Sequence, residues 1–373
     1  MHRSHKIRLY PAKDQEVLLL KTAGTSRYVY NWGLCKWKEM WKAVEDGTST
    51  QKPSFLVLSR RWTQERPEWS KETHRGSQTQ ALRNLGTAFQ NLWRGKGKYP
   101  KFHKKGQRKD SFYVDNQHAY VMEKHIHLPN IGKVKLAENL RFEGKVTGYT
   151  VSTYAGQWHV SVEVELPDAK RPCLKPASVV GIDVGLKHVA VASDGTVLDA
   201  PASLKRLDVK LRNAQKALSR SQRNSKNHQK LLIKKQKVQN RINNIRQDVT
   251  HKFTSTITKN HGVVVVEDLD VKEMIEKAPA KVVRRAFNSS LMLAVHWQLS
   301  YKARKLVKAS QFYPSSKTCS NCGAIKSDLK VSERTYKCEH CGAVLDRDLN
   351  AAINLMQAGL VKPSVPVELT ASR

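Results

Sequence analysis

Lys6-Ile7-Arg8-Leu9-Tyr10 alternates charged and apolar positions with the two-residue period of a half-buried strand, and Pro11 ends it. From Asp14 to Val44 the period lengthens. Val17, Leu18, Leu20, Tyr28, Val29, Trp32, Cys35 and Trp41 recur at helical spacing, and Gly24-Thr25-Ser26 interrupts them, which predicts two helices with a short break. A polar stretch holding Pro53 and Pro67 follows. Leu82, Leu85, Phe89, Leu92 and Trp93 then predict an amphipathic helix that stops before Gly95-Lys96-Gly97. Between Ser111 and Leu166 the texture changes to short strands at Phe112–Val114, Ile126–Leu128, Lys133–Leu136, Tyr149–Ser152 and Trp158–Val164. Gly132, Gly144, Gly148 and Gly156 punctuate them, so a small β-barrel is the expected assembly, with the strand near Ile7 able to join.

Pro167 to Pro176 has the composition of a linker. Beyond it, Val179–Asp183, His188–Ser193 and Thr196–Leu198 predict three consecutive antiparallel strands with a tight turn at Asp194-Gly195, the way an RNase H-like sheet begins. Leu204, Leu207, Leu211, Ala214 and Leu218 then repeat about every 3.5 residues. Leu231, Val238, Ile242, Ile245 and Val249 do the same, and the polar Ser219–Asn227 between them predicts a helical hairpin.

Within this pattern three acids stand where a core would exclude them. Asp183 closes the strand run in Gly181-Ile182-Asp183-Val184-Gly185, Glu267 closes Val263-Val264-Val265-Val266, and Asp348 opens the helix predicted over Leu349–Met356. A buried carboxylate without compensation is costly, so three of them at strand and helix ends suggest a divalent metal site and phosphate chemistry. Hydrolysis by two Mg²⁺ ions, with Mn²⁺ as a substitute, needs one bridging carboxylate and others from neighbouring elements. Asp183 would bridge, Glu267 would bind one ion and Asp348 the other. Each acid also has a structural role open to it, as a turn or helix cap, and Asp268 and Asp346 are the nearest alternative ligands. Period-2 logic alone does not fix which of Glu267 and Asp268 faces the site.

Charge adds a partner. With 66 Lys and Arg against 32 Asp and Glu the net charge is +34, the footprint of a polyanion-binding protein, although a basic protein without catalysis would look the same. Fourteen Lys and Arg face one acid, Asp208, between Lys205 and Arg246. Solvated helix faces normally mix signs, so this hairpin reads as a surface for a phosphate backbone. Residues 95 to 109 combine seven Lys and Arg with Tyr99 and Phe102, cations for phosphates and aromatics for bases, against the alternative of a solvated basic loop.

Cysteine usage points to metal rather than disulfides. Cys319-Ser320-Asn321-Cys322 and Cys338-Glu339-His340-Cys341 are two Cys-x-x-Cys knuckles fifteen residues apart, each followed by glycine, Gly323 and Gly342. That spacing specifies one tetrahedral structural Zn²⁺ on Cys319, Cys322, Cys338 and Cys341, a closed site that takes no substrate. A pair of redox motifs fits less well, because neither knuckle opens a helix after a strand. Cys35 and Cys173 stand alone as ordinary thiols. No apolar stretch approaches the ~20 residues of a membrane span, and Met1-His2-Arg3-Ser4-His5-Lys6 leads into no signal-like apolar segment. A cytoplasmic protein is expected.

At these residues the chain resembles the TnpB proteins of insertion sequences, relatives of the type V CRISPR effectors. The resemblance spans nearly the whole chain and rests on Lys6-Ile7-Arg8-Leu9-Tyr10-Pro11, Tyr28-Val29-Tyr30-Asn31-Trp32, Tyr99-Pro100-Lys101-Phe102 and Gly181-Ile182-Asp183-Val184-Gly185. Val265-Val266-Glu267-Asp268-Leu269, Cys319-Ser320-Asn321-Cys322-Gly323 and Asp346-Arg347-Asp348-Leu349-Asn350-Ala351-Ala352 complete it. It implies an α+β multidomain fold. Residues 1–10 and 108–168 would form a wedge β-barrel and 11–107 an inserted helical recognition domain, with a linker at 169–176. An RNase H-like (RuvC) nuclease domain would run over 177–318 and 342–360 around a zinc ribbon at 319–341, before a tail at 361–373. The implied activity is RNA-guided DNA cleavage next to a short target-adjacent motif, with Asp183, Glu267 and Asp348 as catalytic set. The partners would be a guide RNA made from the transposon end and double-stranded target DNA. An RNA-guided DNA-binding regulator and a transposase proper are the competing classes. A 373-residue globule has a radius of gyration of about 21 Å. A heteroduplex of roughly 20 base pairs is about 70 Å long. A monomer with a large structured RNA, or a homodimer, would be needed to enclose it.

Overall fold

The computed structural model describes residues 2–105, 109–167, 174–185, 187–223, 225–269, 271–277, 291–310, 313–330 and 333–361. Residues 106–108 of the basic run, Cys173 with most of the expected linker, and the tail beyond Val361 lie outside them. The chain divides into two units, Met1–Ala169 and Lys170–Arg373.

The first unit opens with β1 (His2–Tyr10), whose alternation buries His5, Ile7 and Leu9. Strands β2 (Ser111–Asp115), β3 (Tyr120–Met122), β4 (His125–Leu128), β5 (Gly132–Leu136), β6 (Lys145–Tyr154) and β7 (Gln157–Glu165) join it. The sheet order is β2-β6-β7-β1-β5-β4-β3, with every neighbouring pair antiparallel. The seven strands share one core, in which Ile7, Val114, Ile126, Val134, Val151 and Val160 are fully enclosed. Among the described residues no ladder joins the two end strands, β2 and β3. β3 was not foreseen in the sequence.

Helix α1 runs unbroken from Lys13 to Glu45, so the break expected at Gly24 does not occur. The Thr22 and Thr25 hydroxyls donate to the Leu18 and Lys21 carbonyls one turn back, at 2.9 and 3.0 Å, and are satisfied inside the helix. Small residues there serve packing, since Leu19 and Ala23 enter the core of the sheet. The other half of α1 packs on α2 (Phe55–Glu65) and α3 (Arg75–Trp93) around Leu34, Trp37, Leu58, Trp62, Leu82 and Phe89. α2 lies in what reads as a polar stretch; Ser54 caps it, accepting from the Val57 N–H, and only Leu58 and Trp62 are buried.

The second unit is a mixed sheet between helices. Strands β8 (Lys175–Asp183), β9 (Ala190–Ala192) and β10 (Val197–Leu198) are antiparallel neighbours as expected. Helices α4 (Ala202–Arg220) and α5 (Lys226–Asn260) form the predicted hairpin. Then β11 (His261–Glu267) returns to lie parallel to β8, and β12 (Lys305–Ala309) parallel to β11, giving the order β10-β9-β8-β11-β12. Between β11 and β12 lie α6 (Val271–Glu276) and α7 (Met292–Lys302); sequence pattern did not reveal α7 or β12.

The valine run of β11 is apolar throughout because both its faces are covered. Val264 and Val266 meet Phe253 and Ile257 of α5 and Val295 and Leu299 of α7. Val265 points the other way, toward Leu355 of α8 (Arg347–Val361). A small hairpin, β13 (Thr335–Lys337) with β14 (Val344–Asp346), leads directly into α8. Among the described residues no helix is long and apolar enough to cross a membrane.

Candidate active site

Parallel pairing of β8 with β11 sets Ile182 opposite Val266, so the next residues, Asp183 and Glu267, end adjacent strands side by side. The third acid arrives on α8, whose backbone presses against β8 at Gly181. A Cβ built there would stand 2.0 Å from the Ala352 carbonyl oxygen and 2.5 Å from the Met356 nitrogen. Only glycine permits that approach. It brings the first turn of α8, and with it Asp348, over the end of β8. Asp348 is 8 % exposed, and Arg347 Nη2 lies 3.5 Å from its Oδ1.

The three acids sense one another. Burial, then the charges of Asp348 and Glu267, push the Asp183 carboxyl up to about 7, while the Arg347 guanidinium and the Val184 N–H pull in the other direction. Burial also raises Glu267. Three carboxylates brought together and partly withdrawn from water are mutually repulsive, and a cation relieves both the repulsion and the desolvation. All donors are hard oxygens, so the set suits Mg²⁺ or Mn²⁺. Among the described residues, the sets of His, Cys, Asp and Glu whose ligand atoms all lie within 4.8 Å of one another are the four cysteines and His74, Asp115 and His118. The three acids do not all meet that limit together.

The alternative ligands are otherwise engaged. Asp346 caps α8, its Oδ1 accepting from the Asp348 and Leu349 N–H groups at 2.9 and 3.2 Å. The Asp268 carboxylate is exposed and paired with Lys308 Nζ at 2.8 Å. Glu267 is the member of the pair whose charge reaches Asp183.

The cysteines converge. Cys319 and Cys341 Sγ are 3.6 Å apart, as are Cys322 and Cys338 Sγ. A tetrahedron with Zn–S bonds of about 2.3 Å has edges of about 3.8 Å, so the four sulfurs fit Zn²⁺. Each knuckle turns on a glycine with positive φ, Gly323 at +76° and Gly342 at +72°. Tyr336, fully buried, is the ribbon's core, and its hydroxyl donates to the Lys317 carbonyl at 3.1 Å.

A stripe of amides on α8, which the sequence reading missed, ties the ribbon to the acids. Asn350 accepts from the Ser320 N–H at 2.9 Å and donates to the Thr318 carbonyl at 2.7 Å. Asn354 donates to the Ser315 and Thr318 carbonyls at 2.7 and 2.6 Å, and Gln357 to the Ser320 carbonyl at 3.0 Å. Their signal is the spacing, four and then three residues, of polar amides on a helix whose buried neighbours are Ala351, Ala352 and Leu355.

The basic surfaces are also in place. The α4–α5 hairpin closes on a thin seam of Leu204, Leu207 and Ile242, leaving its cations outward. In the other unit Tyr99 and Phe102 are exposed, with Lys38 Nζ 5.7 and 5.1 Å from their ring centres.

Three family descriptions match the chain. "Probable transposase" covers residues 159–278, "Cas12f1-like, TNB domain" 294–355 and "Helix-turn-helix domain" 1–46. Over that last span the fold is a strand and one continuous helix. A candidate RNA-guided DNA endonuclease of Escherichia coli K12, InsQ, is 30% identical over 96% of this chain and 92% of its own length. A candidate RNA-guided DNA endonuclease of Streptomyces pristinaespiralis is 30% identical over 96% and 89%. In fold, the mini-RNA-guided endonuclease CRISPR-Cas_phi3 aligns over 98% of this chain and 93% of its own with a TM-score of 0.52 at 11% identity.

Proposed function

Since this chain belongs to the TnpB family, the OrfB proteins of IS605-type elements, we propose that it is an RNA-guided DNA endonuclease that hydrolyses phosphodiesters at Asp183, Glu267 and Asp348. The observation that carries this is the convergence of three carboxylates from β8, β11 and α8, with Asp183 driven up to about 7 by burial and then by the charges of Asp348 and Glu267. Divalent ions there would activate water and stabilise the leaving oxygen. The protein's own part is positioning: strand pairing fixes Asp183 beside Glu267, and Gly181 and the ribbon fix Asp348. Arg347, beside Asp348, is placed to offset charge on a scissile phosphate. In-line attack by water would leave a 5′-phosphate and a 3′-hydroxyl.

Guide RNA and target DNA would lie along the α4–α5 hairpin and the Tyr99–Phe102 segment, held largely through phosphates. The first unit would supply the wedge (1–10 and 108–168) and the helical recognition part (11–107). The second would supply the RuvC-type nuclease with its zinc ribbon.

Protein purified with its bound RNA and given a plasmid carrying the matched target in Mg²⁺ tests the proposal. The unaltered chain should cut. Asp183→Ala should lose several kcal/mol of transition-state stabilisation, at least about 100-fold in rate, while still binding DNA. Asp268→Asn should cut at the normal rate. Equal inertness of the unaltered chain and Asp183→Ala, with binding intact, would make the protein an RNA-guided binder instead.

A further inference from the structure

We propose that His74, Asp115 and His118 form a second binding site for a transition-metal dication, zinc foremost, that pins the start of α3 to the end of β2. The three side chains come from three places in the first unit: His74 immediately precedes α3, Asp115 ends β2, and His118 lies in the turn that follows. One ligand atom from each falls within 4.8 Å of the other two. His118 Nδ1 is 2.6 Å from Asp115 Oδ1, and the His74 and His118 ring centres are 4.7 Å apart. Two imidazoles and a carboxylate are ligands that zinc accepts, with bonds of about 2.0–2.2 Å and a fourth position left to water. Closing from the present spacing onto such an ion asks for shifts of about an ångström, within the reach of His118, which is exposed.

Two further features fit a site rather than a chance encounter. Gly76 makes room for it, because a Cβ there would stand 2.5 Å from His74 Cε1 and 3.1 Å from Asp115 Oδ2. Any larger residue would press on both ligands at once. The surrounding charge is also unusual. In a chain with 66 Lys and Arg, the ion pair that Asp115 makes among the described residues is to a histidine, His118. Backbone N–H groups of Gln117 and His118, each at 3.1 Å, aim its Oδ1.

The site would act as a staple. Ser77 Oγ already donates to the Tyr113 carbonyl at 2.7 Å, one helical turn from His74. A metal would add a second tie between α3 and β2, which together wall a cleft of about 750 Å³ carrying Gln80, Arg83 and Asn84.

Zinc content per chain, measured by mass spectrometry after dialysis of the full-length protein against micromolar zinc, tests the proposal. The unaltered protein should hold at least two zinc ions. His74→Gln and His118→Gln should each hold one fewer while the cysteine-bound ion remains, with circular dichroism and melting of each variant matching the unaltered protein to show that the first unit is folded. One zinc in the unaltered protein overturns the proposal whatever the variants do. Equal content in all three proteins overturns it too, and a loss confined to one variant overturns the three-ligand assignment.

Discussion

Replacing Gly181 with alanine tests whether strand-helix contact sets the geometry of the candidate site. The new Cβ would lie 2.0 Å from the Ala352 carbonyl oxygen, and an ordinary contact begins near 3.4 Å, so α8 must retreat by about 1.4 Å. Both obstructing groups are backbone, and no rotamer change can relieve them. Ala352 sits one turn from Asp348, so the retreat moves the acid with it. Overpacking of this kind costs about 1–3 kcal/mol, a fall of about 3–10 °C in the transition of a unit of some 200 residues. A displacement of about 1 Å in a reacting group costs on the order of 100-fold in rate. The assay is the initial rate of plasmid cleavage by RNA-loaded protein, with circular dichroism following the melt. Gly359→Ala is the control, since its Cβ would meet the buried Val265 side chain at 2.4 Å, so it overpacks the same helix face, but it lies three turns from Asp348. It should cost stability too and leave the rate within a few-fold. Cleavage and melting of Gly181→Ala indistinguishable from the unaltered chain would refute the idea that this contact seats Asp348.

Two other outcomes are expected. Asp183 titrates near 7 when folded and near 3.8 when unfolded, so between those values the folded chain holds a proton that the unfolded chain has lost. Without divalent ions, stability should therefore fall as pH rises from about 4 to about 7, by up to about 4 kcal/mol, and level off above. Added Mg²⁺ should recover it at pH 8, and denaturant titrations showing no such slope, or none in Asp183→Asn alone, decide the matter. Cys338→Ser should release zinc and loosen the loop held by Asn350, Asn354 and Gln357, lowering cleavage although no cysteine meets DNA. Undiminished cleavage by a zinc-free protein would show that ribbon and acids are independent.

The parts legible in sequence were those where local pattern and chemistry coincide. Asp183 and Glu267 announced themselves by ending apolar runs, and the cysteines by spacing. Local pattern located six of the seven strands of the first sheet, all but β3, because one face of each is buried. What stayed hidden depends on partners far along the chain. Gly24 looks like a break until Thr22 and Thr25 bond back within the helix and Ala23 packs against the sheet. α2 contributes only Leu58 and Trp62 to a core and is otherwise polar. β12 is five residues long and becomes a strand by pairing with β11. The ranking of Glu267 over Asp268, made because Glu267 ends the apolar run, gains support from the pairing of Asp268 with Lys308.

The three acids meet across 165 residues of chain, from Asp183 to Asp348. Synthesis at about 5–20 residues per second separates their appearance by roughly 8–33 seconds. During that interval the α4–α5 hairpin is already made, and β8 already exists without α8. If the hairpin holds RNA as proposed, a nascent chain would gather it before it has a complete set of acids. On the proposed function, α8, the last helix among the described residues, completes the set of acids, so a translation product that stops before it would bind nucleic acid without cutting.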